Sequence, residues 1–183
     1  MTKFLDERES MNPHLFAQIS EKYLQAAKII WEAEFANRHR FYWDKLLILR
    51  PLSQLVGVSL ETSLKGLIAC RGIDNSKTHS ISKLFEILDD PNLEAEISAL
   101  LQNVELPEEL VEVNEHLEAD ELAKLYRTLG IHVDLLDRVY DRPYVSRYPY
   151  LGSHAAPDIE ALMIVIQALQ LRLREEKKTW HRD

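Results

Sequence analysis

Leu52-Ser-Gln-Leu55-Val56-Gly-Val-Ser-Leu60-Glu61-Thr-Ser-Leu64-Lys65-Gly-Leu67-Ile68-Ala-Cys70-Arg71-Gly72-Ile73 is the stretch that decides the fold. Its apolar residues Leu52, Leu55, Val56, Leu60, Leu64, Leu67 and Ile68 return every three or four positions, which lines one face of a helix and suits no strand. Arg71-Gly72-Ile73 then closes the run like a Schellman cap, with glycine in the left-handed conformation and the next apolar residue folding back.

The same period extends in both directions. Upstream, Asn12 caps and Pro13 opens a helix carrying Phe16, Ile19, Tyr23, Ala26, Ile30 and Ala33 to about Phe35. Arg38-His39-Arg40-Phe41-Tyr42-Trp43 opens a second run, which Pro51 should kink or restart. Downstream, Thr78 or Ser80 caps a short helix with Ile81, Leu84, Phe85 and Leu88; Pro91 stops it, and Leu93, Ile97, Leu100 and Leu101 continue helically. One further helix is expected from about Asp120 through Leu122, Leu125, Leu129, Val133 and Leu136, with Gly130 a weak point in it. Pro157 opens the last, through Ile159, Leu162, Val165, Ile166, Leu169 and Leu173. No segment alternates apolar and polar residues for more than a few positions. The fold class is therefore all-α: a bundle of about five to seven helices in one domain spanning 1–183, with 1–11 flexible and 179–183 a tail.

Composition limits the function classes. The chain has 183 residues, 46% of them hydrophobic, enough for one substantial core. Thirty acidic against 22 basic residues give a formal charge of -8, so contact with nucleic acid has to be focal. Glu105, Glu108, Glu109, Glu112, Glu115, Glu118, Asp120 and Glu121 form a run without a base and without regular ligand spacing, a solvated acidic face better than a metal site. No metal and no cofactor is expected. Cys70, the only cysteine, excludes an internal disulfide and reads as a small buried residue. With no signal-peptide pattern and no membrane span, the expectation is a soluble cytoplasmic protein with no membrane partner.

The focal candidate is Arg138 to His154, which sets Arg138, Arg142 and Arg147 among Tyr140, Tyr144, Tyr148 and Tyr150. Guanidinium neutralises phosphate and tyrosine offers a stacking face, so the mixture suits RNA or a nucleotide; Arg and Tyr equally furnish protein interfaces. Phosphate-loop, dinucleotide-fold, nucleophile-elbow and zinc-protease motifs are all lacking from the sequence. Glu61 and Lys65, four apart, read first as a helical ion pair, and His79 as a group at a helix start that could reach ligand. The tail from Arg172 to Arg182 either meets nucleic acid or offsets the acidic face.

Glu61-Thr-Ser-Leu64-Lys65-Gly-Leu67-Ile68, then Gly72, then Lys77-Thr78-His79-Ser80-Ile81-Ser-Lys83-Leu84, and finally Arg147-Tyr148-Pro149 resemble the successive signatures of the HEPN family, the higher-eukaryote and prokaryote nucleotide-binding domain, over roughly 13–178. The resemblance implies an antiparallel helical bundle that commonly forms a homodimer. It implies either a metal-independent endoribonuclease of a toxin-antitoxin or defence system, or a non-catalytic module that binds a partner protein such as a nucleotidyltransferase or an antitoxin. Carried over by position, the catalytic pair is Arg147 and His154, with Arg138, Arg142, Tyr144, Tyr148 and His79 binding RNA or nucleotide. Histidine can take and return a proton, and arginine can hold the charge that develops on phosphorus. Arg8/His14, Arg127/His132 and Arg174/His181 share comparable spacing, so only place in the chain singles out Arg147/His154. Tyr148, Pro149 and Gly152 depart from the small polar residue and regular helix of ribonuclease members.

Overall fold

The computed structural model describes residues 12–35, 43–73, 77–104, 119–140 and 157–180. Within them the chain is all-helical: α1 Pro13–Phe35, α2 Trp43–Cys70, α3 Ile81–Leu88, α4 Pro91–Leu101, α5 Ala119–Tyr126, α6 Leu129–Tyr140 and α7 Ile159–Glu176. No helix among the described residues is long and apolar enough to cross a membrane.

The 52–73 run is the axis of the bundle. Leu52, Val56, Leu60, Leu64, Leu67 and Ile68 are all fully buried, because α2 packs against α1, α3, α6 and α7. The Schellman cap forms as the sequence requires: Ile73 N–H reaches the Ile68 carbonyl at 3.1 Å, Gly72 N–H the Ala69 carbonyl at 3.2 Å, and Gly72 takes φ +65°. Pro51 neither stops nor restarts the helix, which runs unbroken through it. The ring sits on an exposed position, where water can satisfy the carbonyl deprived of its donor.

α1 begins where Asn12 predicts, its side-chain oxygen accepting from His14 N–H at 2.9 Å. It turns a face of small residues, Ala17, Ser20 and Ala27, toward α2. That close approach buries hydroxyls, and they satisfy one another: Ser20 Oγ lies 2.6 Å from Ser63 Oγ and 3.1 Å from Ser59 Oγ, while Gln170 of α7 donates to Ser20 Oγ at 2.7 Å. Unpaired, each of these groups would cost on the order of 1–3 kcal/mol, so the set fixes one register for three helices.

The expected single helix from Asp120 to Leu136 is two. α5 ends at Tyr126 and α6 starts at Leu129, so the break falls at Arg127-Thr128, just ahead of Gly130. A side chain replaces the helical donor there, because buried His132 bonds through Nε2 to the Tyr126 carbonyl. Tyr126 in turn donates its hydroxyl to Asp158 at 2.5 Å. Asp158, not Pro157, caps α7, accepting from Ala161 N–H at 2.6 Å.

Arg71 ties three helix ends together. From the end of α2 it makes paired bonds to Glu176 in the last turn of α7, 3.0 Å from Nε and 2.6 Å from Nη2, and reaches Asp90, the N-cap of α4, at 2.7 Å. These carboxylates raise the guanidinium's affinity for its proton. Asp90 is held below the usual carboxylate range, first by the Leu93 N–H that it caps and then by Arg71. A carboxyl depressed on folding stabilises the native state above its unfolded value near ~3.9 and loses that contribution as pH falls through the folded value. Asp90→Asn keeps a capping oxygen but removes the charge. It should cost about 1 kcal/mol at neutral pH, and the gap from wild type should close in more acidic urea titrations, below the ordinary carboxylate value.

Candidate functional site

Glu61 sits in the middle of α2 with 7% of its surface exposed. An isolated carboxylate there would be prohibitively desolvated, and it is met by three groups from three parts of the chain. Lys65 Nζ, one turn on, lies 2.7 Å from Oε1; His79 Nδ1, in the loop before α3, lies 3.1 Å from the same oxygen; and the Tyr140 hydroxyl, in the last turn of α6, donates to Oε2. The Glu61/Lys65 helical pair exists, as part of a larger cluster. His79 differs from its neighbours in exposure, with 66% of its side chain open to solvent against 12% for Lys65.

The loop carrying His79 is fixed from the other side by Asp137. Ser80 is the α3 N-cap, but the dominant cap comes from α6: Asp137 accepts from Ile81 N–H at 2.6 Å, Ser82 N–H at 3.0 Å, and the hydroxyls of Ser80 at 2.9 Å and Ser82 at 2.6 Å. A carboxylate of the chain therefore already occupies the positive end of α3, where an anionic ligand would otherwise bind. Tyr140 is placed by a gap in α2. A Cβ on Gly57 would fall 2.2 Å from Tyr140 Cδ2 and 2.6 Å from Cγ, so the phenol reaches Glu61 by lying across a glycine. Gly57→Ala should displace the ring, break its bond to Glu61 and cost about 1–3 kcal/mol of stability in urea unfolding, where the same change in an exposed helix would stabilise.

Of the expected ligand-binding residues, the structure places two. His79 joins the Glu61 cluster. Arg138 does not: it is two positions before Tyr140, on the opposite side of α6, exposed and 2.6 Å from Asp134 one turn back. Arg142, Tyr144, Arg147, Tyr148 and His154 lie outside the described residues, as do Arg38, Arg40 and the acidic run 105–118. The basic tail is partly engaged, Arg172 with Glu96 at 3.0 Å and Arg174 with Glu21 at 3.0 Å. Asp137 carries no signal in the sequence, and Tyr140 reads there only as one of the stacking rings of the Arg138-to-His154 stretch. The only signal for Tyr140 was its place four residues after buried Leu136, on the face that α6 turns to α2.

Two other places lack a site's chemistry. A groove of about 440 Å³ between α3, α4 and α6 is lined by Phe85, Glu94, Gln102, Arg127, Val133 and Asp134. Its one guanidinium already spends Nε on the Val104 carbonyl at 3.4 Å. Cys70 is half-buried beside Glu176, and burial first, then that carboxylate, push its thiol up to about 11. Its thiolate fraction at neutral pH is about a hundredfold below that of a free cysteine, so native Cys70 should react with iodoacetamide at least that much more slowly than in urea.

Among the described residues no group of three or more acidic, histidine or cysteine side chains could hold a metal ion. Comparison with family models, curated proteins and solved structures returned no match.

Proposed function

We propose that this chain is a HEPN-like module that binds RNA or a nucleotide through its phosphates, on the face where Glu61, His79 and Tyr140 meet, and that Arg147 and His154 give it metal-independent endoribonuclease activity. One observation carries the reading. The stretches on which the resemblance rests are distant in sequence, yet Glu61 of the first bonds to His79 of the second, and to Tyr140, after which the Arg142-to-His154 segment begins. A shared packing role explains Glu61, Lys65 and Tyr140, which are substantially covered. It does not explain an exposed imidazole held by a buried carboxylate whose other partner, Tyr140, belongs to the most arginine- and tyrosine-rich stretch of an acidic chain.

In the reaction, a ribose 2′-hydroxyl attacks the adjacent phosphorus, Arg147 steadies the charge on the phosphoryl oxygens, and His154 exchanges protons with the oxygens entering and leaving. A toxin-antitoxin or defence setting, and a homodimer that joins two such faces, belong to the same proposal. The test is cleavage of single-stranded RNA in chelator. Wild type should leave 2′,3′-cyclic phosphate ends, and Arg147→Ala or His154→Ala should slow cleavage by about 100-fold or more. A wild type that neither cleaves nor binds RNA or nucleotides refutes this reading in favour of a module that binds a partner protein.

A further inference from the structure

We propose that the outward face of α1 docks an amphipathic helix of a different protein, one whose apolar stripe carries a carboxylate near its centre. The inference stands apart from the RNA reading, because it uses no residue of the Glu61 cluster.

None of Phe16, Ile19, Tyr23, Ala26, Ile30 and Ala33, the apolar positions that mark α1 in the sequence, is among the residues this helix buries; those are Pro13, Ala17, Ser20, Leu24 and Ala27. The helix is apolar twice. Its face of small residues lies on α2, and at about 100° per residue the stripe Leu15, Ile19, Lys22, Ala26, Ile29 and Ala33 points roughly 160° away from it. Leu15 is 41% exposed and Ile29 61%, and with Tyr23 they are three of the six large apolar side chains that stand exposed among the described residues. The stripe advances by alternate steps of four and three residues, the period by which one helix seats another, and runs about 27 Å along the axis. Packing on α2 alone gives no reason for this second stripe.

Lys22 decides what kind of helix fits. It lies in the middle of the stripe, and none of the residues three or four positions away, Gln18, Ile19, Gln25 and Ala26, carries a negative charge. Glu21 beside it is spent on Arg174 of α7 at 3.0 Å, and Lys22 has no ion pair among the described residues. An ammonium covered by an apolar surface is strongly unfavourable unless an acid meets it. A second copy of this chain brings no such acid. Paired parallel, two α1 helices would set Lys22 against Lys22; paired antiparallel, each Lys22 would lie beside Ala26 of the other helix, and both ammonium groups would be covered with no carboxylate in either stripe. A foreign helix with apolar residues at the same steps and a central aspartate or glutamate covers the stripe and neutralises Lys22 together, so one charge sets both register and choice of partner.

The probe is a pair of synthetic helical peptides of about 20 residues, alike in a stripe of leucine and isoleucine at these steps and differing only in a central glutamate or lysine. Fluorescence anisotropy follows their binding to the full chain and to its Ile29→Glu and Lys22→Glu variants; both positions are exposed, and circular dichroism checks that each variant is folded. The glutamate peptide should bind wild type with a Kd of about 10–100 μM, the strength of a contact one helix wide, and the lysine peptide about tenfold more weakly. Ile29→Glu should abolish binding of the glutamate peptide, and Lys22→Glu should reverse the preference between the two. Equal binding of both peptides by wild type overturns the proposal, because the charge then selects nothing. Binding of neither overturns it in favour of a face closed by this chain itself, and a wild-type dimer that Ile29→Glu dissolves in sedimentation overturns it in favour of a second copy. None of these outcomes bears on RNA cleavage.

Discussion

A single buried carboxylate governs how the second half of the chain meets the first. Glu61 lies among leucines on the most enclosed helix, and its desolvation cannot be offset by Lys65 alone, because one ammonium leaves the second oxygen without a donor. Tyr140 supplies it. For Tyr140 to come that close, α6 must lie against α2, and α2 must carry no side chain at position 57. With α6 so placed, Asp137 falls opposite the start of α3 and draws in its free N–H groups, which in turn sets the loop that carries His79. Gly57, Asp137, Tyr140 and His79 can each be understood as consequences of placing a charge at position 61.

The C-terminal end of α2 is held by a different device. There Arg71 is the odd charge, and it is met at the partly open surface by carboxylates from α4 and α7. The contrast explains why the Glu61 cluster, and not the Arg71 one, reads as a candidate site. Around Arg71 the partners are two carboxylates shared with helix ends, the arginine's donors are pointed inward, and the adjacent thiol is suppressed by the same burial and charge. Around Glu61 the acid is interior and one of its partners faces out. A group that is both restrained from behind and open in front is what acid/base chemistry uses, and ion pairing between helix ends provides no such group.

The sequence made α1, the Schellman end of α2 and the Ser80 cap legible because each is set by residues within a turn of one another: Asn12-Pro13, Arg71-Gly72-Ile73, and a serine ahead of an apolar run. It misled where a distant side chain overruled local pattern. The apolar period from Asp120 to Leu136 runs through Thr128 without interruption, and only the His132 ring on the Tyr126 carbonyl, with Asp158 on the Tyr126 hydroxyl, accounts for two helices there. Pro51 does not restart the run, because at an exposed position water can meet the carbonyl it leaves without a donor and the rest of α2 is deeply packed. In the candidate site, Glu61, Lys65 and His79 were visible as residues but not as neighbours. Their meeting point is set by Tyr140 and Asp137, whose roles depend on a gap at Gly57 and on the angle of α6, neither of which has a local signature.

Charge is the remaining constraint on what this face can bind. At -8 overall the chain repels a polyanion at long range, and the described cluster adds nothing to offset this: Lys65 is spent on Glu61, and the α3 terminus on Asp137. Arg138, although exposed, is compensated by Asp134 and faces away. If this chain binds phosphate as proposed, the attraction has to act at short range, where a Debye length of about 10 Å at moderate salt screens the acidic remainder. On the proposed reading, such a charge balance favours a few nucleotides of single-stranded RNA over a duplex whose many phosphates would meet the acidic surface on either side.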